Sequence, residues 1–235
     1  MISIIIPIYN SSKTIKNCLD SVLAQTYKDV EVIIVDDKSG DYSIEVVNNY
    51  IKKLKANNFE LKLIKHEVNK GAPAARNTGF KNSKGEYLFF CDSDSVLKSD
   101  ALFVMIDVIN NNRDVAYVYS SFIWGKKFFK VGEFSDEKLK QGPFIHTNSL
   151  IRRENFPENG WDESVKRLQD WDLWLTMLES GHKGYWINKV LFTIKPGGTM
   201  SGWLPSFAYK LFPFLPSVKK YKNSINIIKS KHNLI

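Results

Sequence analysis

The run Tyr87-Leu88-Phe89-Phe90-Cys91-Asp92-Ser93-Asp94 limits what this chain can fold into more than any other stretch. Five consecutive apolar or aromatic residues predict a strand covered on both faces. Its end is abrupt, with two carboxylates separated by one small residue. Carboxylates are seldom buried without a partner, so a buried strand ending in Asp-Ser-Asp predicts these acids at a sheet edge. In an open α/β sheet the carboxyl ends of the strands are where ligands sit. Two acids there, on a chain of net charge +8, suggest a hard cation bridging to an anionic ligand. An ordinary polar turn, with Ser99 capping the next helix, accounts for the same residues equally well.

Around this strand the pattern alternates. Residues 2–6, 30–35, 61–65 and 115–120 read as further buried strands. Helical spacing follows each of the first three. Ser11 and Ser12 are candidate caps for a helix through Ile15, Cys18, Leu19, Val22 and Leu23. A second helix carries Ile44, Val47, Ile51 and Leu54, and a third, rich in small residues, covers 72–80 after the turn Asn69-Lys70-Gly71. A fourth is buried through Leu102, Met105 and Ile109. Beyond Ser121 the pattern loosens: a hairpin or loop over 122–141, a strand over 144–151, a helix over 170–178 ending at Gly181, and short strands at 185–187 and 190–194. Repeated strand and helix with near-continuous apolar strands predicts α/β architecture, a mostly parallel central sheet covered by helices.

With 43% hydrophobic residues in 235, a sizeable core is available and global disorder is excluded. No apolar run is long enough to span a bilayer. The N-terminus enters a strand directly, without the basic start of a signal peptide. Cys18 and Cys91 form neither a disulfide framework nor a metal pattern and read as buried reduced thiols. His66, His146, His182 and His232 show no ligand spacing and receive no role. No Gly-x-Gly-x-x-Gly follows the first strand, which excludes a dinucleotide reading.

The charge is uneven. From Ser180 to Ile235 there are nine lysines and no acid, leaving 24 basic and 25 acidic side chains in residues 1–179. That argues against a nucleic-acid-binding surface and for a local basic appendage over 201–235. Within it, the aromatic, proline-broken run 203–216 leads into Lys219-Lys220-Tyr221-Lys222 and then Lys229 and Lys231. Aromatics beside lysines suit an anionic membrane surface through residues 203–231; packing back on the domain or an oligomer contact is the alternative.

Five motifs stand in order: Ile4-Ile5-Ile6-Pro7-Ile8-Tyr9-Asn10, Val35-Asp36-Asp37-Lys38-Ser39, Asn69 to Asn77, Asp92-Ser93-Asp94, and Leu168-Gln169-Asp170-Trp171-Asp172-Leu173-Trp174. Together they resemble the family 2 glycosyltransferases, inverting enzymes of the GT-A fold, over residues 1–200. The resemblance implies a nucleotide-sugar-binding half (1–120) and an acceptor half (121–200). It places Asp37 at the base, usually uracil, with Pro7, Tyr9 and Asn10 walling the nucleotide and Gly71 to Asn77 passing beneath it. Arg76 would meet phosphate or sugar oxygens, or pair with an acid. Asp94 would hold Mn²⁺ or Mg²⁺, with Asp92 on the ribose or a metal-bound water and Ser93 between them. Asp170 would be the catalytic base.

Asp172, about 200° further round a helix, reads as a surface or capping acid. Trp171 and Trp174 read as core or pocket wall, with Trp171 also a candidate to stack on an acceptor sugar. The sequence departs from the family at Gln169, where many relatives carry Glu, and at Lys195, which stands where a metal-ligating histidine is common. Lys195 would neutralise the diphosphate directly or be a solvated loop residue. The implied enzyme moves a sugar from a nucleoside diphosphate, most simply UDP, to a saccharide or lipid-linked saccharide. It would work in the cytoplasm, peripheral at the inner membrane face. A nucleotide-binding partner subunit without turnover is the alternative.

Overall fold

The computed structural model describes residues 1–56, 59–195 and 214–235. The apolar run at the N-terminus forms β1 (Ile2–Ile8), followed by α1 (Ile15–Leu23), β2 (Val30–Asp36), α2 (Ser43–Ala56), β3 (Glu60–Lys65) and α3 (Ala72–Lys81). Then come β4 (Tyr87–Phe90), β5 (Ser95–Leu97), α4 (Ala101–Asn111), β6 (Tyr117–Trp124), β7 (Lys127–Phe129) and α5 (Asp136–Gln141). The chain closes with β8 (Leu150–Arg152), α6 (Gln169–Glu179), β9 (Gly184–Ile194) and α7 (Pro216–Lys231).

One sheet runs β3-β2-β1-β4-β8-β6-β9-β5, with β7 paired on β6. Its first four strands are parallel, in the register Ile2↔Val30, Ile2↔Tyr87 and Glu31↔Glu60. Their carboxyl ends therefore share one edge, and Asp36, Asp37 and Asp92 gather there. β1, β2 and β4 are buried on both faces, which is why they read as unbroken apolar runs. From β8 onward the pairing is mixed: β8 is antiparallel to both β4 and β6, β9 is parallel to β6, and β5 is antiparallel to β9.

These reversals build the rest of the site. Because β8 opposes β4, the loop entering β8, residues 145–149, lies at the carboxyl end of β4. Because β5 opposes β9, with Ser95 paired to Ile194, the residue after β9 meets the turn before β5. Lys195 N–H accordingly donates to the Asp94 carbonyl at 3.0 Å. β5 is a three-residue strand that leaves no periodicity in the sequence and exists only through its ladder with β9.

Several local expectations are corrected. Neither Ser11 nor Ser12 caps α1 through its side chain; the Ser11 carbonyl takes the N–H groups of Thr14 and Ile15. The Ser11 hydroxyl instead pairs with Ser93 Oγ at 2.9 Å. Ser99 caps nothing: α4 starts at Ala101, and the Ser99 carbonyl accepts from Thr26 N–H. The strand expected over 144–151 shortens to Leu150–Arg152, since His146, Asn148 and Ser149 spend their hydrogen bonds in the loop. The short strands at 185–187 and 190–194 are one strand, β9, with register shifts opposite Ser120 to Phe122. Trp171 is fully buried, its indole N–H on the Leu139 carbonyl at 2.6 Å, and has no face for an acceptor. The aromatic run 203–213 and residues 196–198 lie outside the described residues.

Asp172 is the largest correction. It is 3% exposed, neither a surface nor a capping acid. Its carboxylate faces the end of α7, whose Val218 and Ile228 are buried. Lys231 Nζ bridges Asp172 and Asp162, each at 2.7 Å. His232 donates to Asp172 at 2.9 Å and to Glu179 at 2.8 Å. Burial opposes charge on His232, yet the hydrogen bonds to Asp172 and Glu179 outweigh it and raise its pKa.

Truncating one partner of a buried ion pair leaves the others uncompensated, so Asp172→Ala is expected to lower unfolding free energy by about 3 kcal/mol in urea titrations. A raised histidine pKa stabilises fully below the unfolded value, about 6.5, and loses that contribution as pH climbs through the folded value. The stability gap between the native chain and His232→Gln is therefore expected to be wider at pH 6 than at pH 9.

Candidate active site

The strand ends supply the floor. After β1, Tyr9 is 51% exposed and presents a free ring face, while Pro7 is half-buried. Asn10 adopts φ 49, held by its N–H on Ser39 Oγ at 3.0 Å and by Gly40 N–H on its Oδ1 at 2.8 Å. Asn tolerates this left-handed conformation better than most residues. After β2, Asp37 turns inward and is 2% exposed. Its carboxylate accepts from Lys70 N–H at 2.9 Å, Gly71 N–H at 2.7 Å and His66 Nδ1 at 2.7 Å. Three of roughly four acceptor positions are thus used in shaping the turn that opens α3. Gly71 itself sits at φ 94, where a side chain would be strained.

α3 carries Arg76 into the centre. It is 6% exposed, stacked over Trp161 at 4.6 Å, and donates to Asp92 Oδ1 at 2.8 Å and Gln169 Oε1 at 2.9 Å. One guanidinium thus joins the end of β4 to the start of α6. Next to it, Asn77 accepts from Trp161 N–H at 2.8 Å and donates to the Trp161 carbonyl and Glu163, each at 2.9 Å. Gly160 has φ 69, and a side chain there would run into the Asn77 amide. This clamp holds the 160–163 segment, from which the chain runs on to α6.

α6 starts from Leu168 in the left-handed region, φ 58, an uncommon state for a bulky residue. That turn sets Gln169 against Arg76 and Asp170 at the first turn. Trp171 N–H donates to Asp170 Oδ1 at 2.9 Å. Burial pushes the Asp170 carboxyl above its ordinary range, moderated by His146 when that ring is protonated, by the Trp171 N–H and by the charge of Arg76. Asp94 is raised to about 7 by burial and by Asp92 beside it.

The loop before β8 completes the group. Asn148 Oδ1 accepts from Asp92 N–H at 3.3 Å, and His146 Nε2 lies 3.9 Å from Asp92 Oδ2. Burial lowers the His146 pKa against the pull of Asp92 and Asp170. The structure therefore joins Arg76 to Asp92 and to Gln169, the residue before Asp170, with Asp94 two residues after Asp92, Ser93 braced on Ser11 and exposed Lys195 beside Asp94. Pro7, Tyr9 and Asn10 lie at the end of β1, Asp37 at the end of β2, and Gly71 beside Asp37 at the start of α3.

Sequence reasoning missed His146, Asn148, His66 and the Asn77 clamp. The polar run His146-Thr147-Asn148-Ser149 inside an apolar stretch was the available signal. Among the described residues no three His, Cys, Asp or Glu side chains form a metal-binding group. The donor set, one partly desolvated carboxylate with no salt bridge among the described residues beside a second that Arg76 engages, fits a hard divalent ion that keeps waters and takes phosphate oxygens.

The family model Glycosyl transferase family 2 matches residues 3–160. A Bacillus spizizenii protein named poly(ribitol-phosphate) beta-glucosyltransferase is 47% identical over 104 residues, 43% of this chain and 16% of that protein. The chain spans less than two thirds of the length of the curated relatives it matches first. The crystal structure of S. aureus TarS 1-349 in complex with UDP-GlcNAc superposes with TM-score 0.73 at 21% identity, covering 98% of this chain and 72% of that one. The mannosyltransferase PcManGT from Pyrobaculum calidifontis, solved with GDP-Man and Mn²⁺, gives TM-score 0.71 at 18% identity, covering 99% and 69%. At these identities the likeness concerns the fold.

A carboxyl raised to about 7 in the folded chain, against about 3.9 unfolded, adds stability below pH 4 that is lost as pH rises through 7. Asp94→Asn is thus expected to melt several degrees above the native chain at pH 8 without metal. In calorimetry that advantage should shrink steadily as pH falls toward 4.

Proposed function

Because the chain belongs to glycosyl transferase family 2, with the GT-A fold of its structural neighbours, and is therefore a glycosyltransferase, we propose that it moves a sugar, with inversion, from a UDP-sugar to a saccharide or lipid-linked saccharide in glycan or surface-polymer synthesis. The observation that supports this reading is the Arg76 bridge between Asp92 and Gln169, which ties the Asp-Ser-Asp turn to the residue before Asp170.

Each residue then takes a part that its surroundings favour. Tyr9 offers its open face to the base, and Asp37 offers its one remaining acceptor position to an imide N–H, which suits uracil over cytosine. Pro7, Asn10 and Gly71 shape the wall. Asp170 takes the proton of the acceptor hydroxyl as its oxygen attacks the anomeric carbon and the nucleoside diphosphate departs. Its raised pKa brings it nearer the working pH, where a general base is most effective. Asp94 and Asp92 would hold Mn²⁺ or Mg²⁺, which when bound offsets charge on the departing diphosphate. Lys195 adds positive charge at the same end.

The acceptor side is read from α7. Lys219, Lys220, Lys222 and Ile227 are exposed on it, and Phe214 is exposed just before it. Lys231, by contrast, is consumed by Asp162 and Asp172. The exposed lysines, each worth about 1 kcal/mol at an anionic surface, favour peripheral contact with the cytoplasmic membrane face, where lipid-linked acceptors lie. No helix among the described residues is long and apolar enough to cross a membrane.

Two experiments test this. In a thermal-shift panel of nucleotide sugars with and without Mn²⁺, a UDP-sugar is expected to raise the melting temperature most, and more so with metal. Asp170→Asn should keep that shift while transfer falls about 10³-fold; undiminished transfer by the variant would refute the assigned base. In sedimentation with phosphatidylglycerol vesicles, the native chain is expected to pellet and the Lys219, Lys220 and Lys222 triple glutamine variant to stay in solution. Equal pelleting of both would remove the membrane reading.

A further inference from the structure

We infer that His146 reads the sugar being transferred: its Nε2–H donates a hydrogen bond to one sugar hydroxyl and thereby sets donor specificity. The inference rests on the donor-binding reading above and goes beyond it to the sugar contact.

The argument starts from the ring's setting. His146 stands in the loop that β8's reversal brings to the carboxyl end of β4. Phe122 and Phe192 flank the imidazole, each with its ring centre 5.2 Å away. The side chain is 10% exposed, so the ring has little freedom to turn. Asn148 backbone N–H donates to Nδ1 at 3.1 Å. A nitrogen that accepts carries no proton, so the neutral ring's proton is on Nε2. That N–H finds no hydrogen-bond partner among the described residues. The nearest carboxylate oxygen, Asp92 Oδ2, is 3.9 Å away and out of reach.

The setting also selects the ligand chemistry. Nε2 lies 3.9 Å from Asp92 Oδ2, beside the turn proposed to take the diphosphate, and Asp170 is near enough for its charge to act on the same ring. A sugar joined to the diphosphate and attacked beside Asp170 must occupy that space. A neutral donor there suits a hydroxyl oxygen, whereas the phosphates would be met by Lys195 and by a divalent ion if Asp92 and Asp94 hold one. Asn148 adds a second uncommitted donor: its Nδ2 is buried without a partner while its Oδ1 is engaged by Asp92 N–H. A site with fixed, otherwise unpaired donors rejects a sugar lacking the matching hydroxyl, because the donor is then stranded.

The test uses the full chain, isothermal calorimetry with Mn²⁺, and UDP, UDP-glucose, UDP-galactose and UDP-GlcNAc as probes. His146→Phe keeps the aromatic packing and removes the donor. It is expected to bind UDP as tightly as the native chain while losing about tenfold in affinity for the preferred UDP-sugar, with preference between the sugars flattened. His146→Gln, whose amide nitrogen approximates Nε2, should recover most of the loss; His146→Asn, which approximates Nδ1, should not. The Gln and Asn pair decides the matter if the Phe variant fails to fold. Equal losses for UDP and UDP-sugar would assign His146 to the Asp92 scaffold and overturn the inference, as would undiminished sugar binding. A native chain that binds none of the four probes overturns the donor reading itself, a result distinct from a change confined to the variants.

Discussion

The site depends on one buried guanidinium. Arg76 reaches Asp92 at the end of β4 and Gln169 at the start of α6 from a bed on Trp161. Those two elements lie more than seventy residues apart in sequence and share no ladder, and this bridge ties them directly through side chains. A neutral Gln169 matters here. Its amide oxygen accepts from Arg76 without competing for the charge, which leaves the ion pair to Asp92. A glutamate in its place would divide the guanidinium between two carboxylates and free Asp92 to face the ligand more fully.

Around that bridge the fold gathers carboxylates where the hydrophobic core is densest. β1 and β4 are buried on both faces, and Cys18 and Cys91 lie at their back with sulfurs 3.7 Å apart. Asp94 and Asp170 both lose hydration on burial, which raises both pKa values, for Asp94 with the added charge of Asp92. The cost in folding stability is the usual one for an active site: groups held ready for a ligand are imperfectly satisfied without it. The far side of α6 supplies the counterweight. There Asp172, two residues from Asp170, is tied with Lys231 and His232 into a fully partnered network. One helix thus begins from a strained left-handed residue and has a locked back.

The parallel half of the fold was legible because its strands are buried on both faces, and burial writes itself as continuous apolar runs. Asp37, Asp92, Asp94 and Asp170 stood out as candidates because each follows such a run or opens a helix, and Arg76 because it is a charge in a helix otherwise rich in small residues. What stayed hidden is non-local. β5 exists through pairing with β9, and His146 reaches the cleft only because β8 reverses direction. Asp172 looked exposed because helical geometry says where a side chain points, while its burial comes from a helix some fifty residues further on. The Ser11 and Ser99 caps failed for a related reason: propensity nominated them, and tertiary partners claimed their groups first.

The most direct measurement is a crystal structure of this chain with an intact UDP-sugar and Mn²⁺. The geometry predicts the diphosphate at Asp92 and Asp94, the anomeric carbon turned toward Asp170 and the sugar within reach of His146. A donor whose sugar points away from Asp170, or which binds on another face, would contradict it.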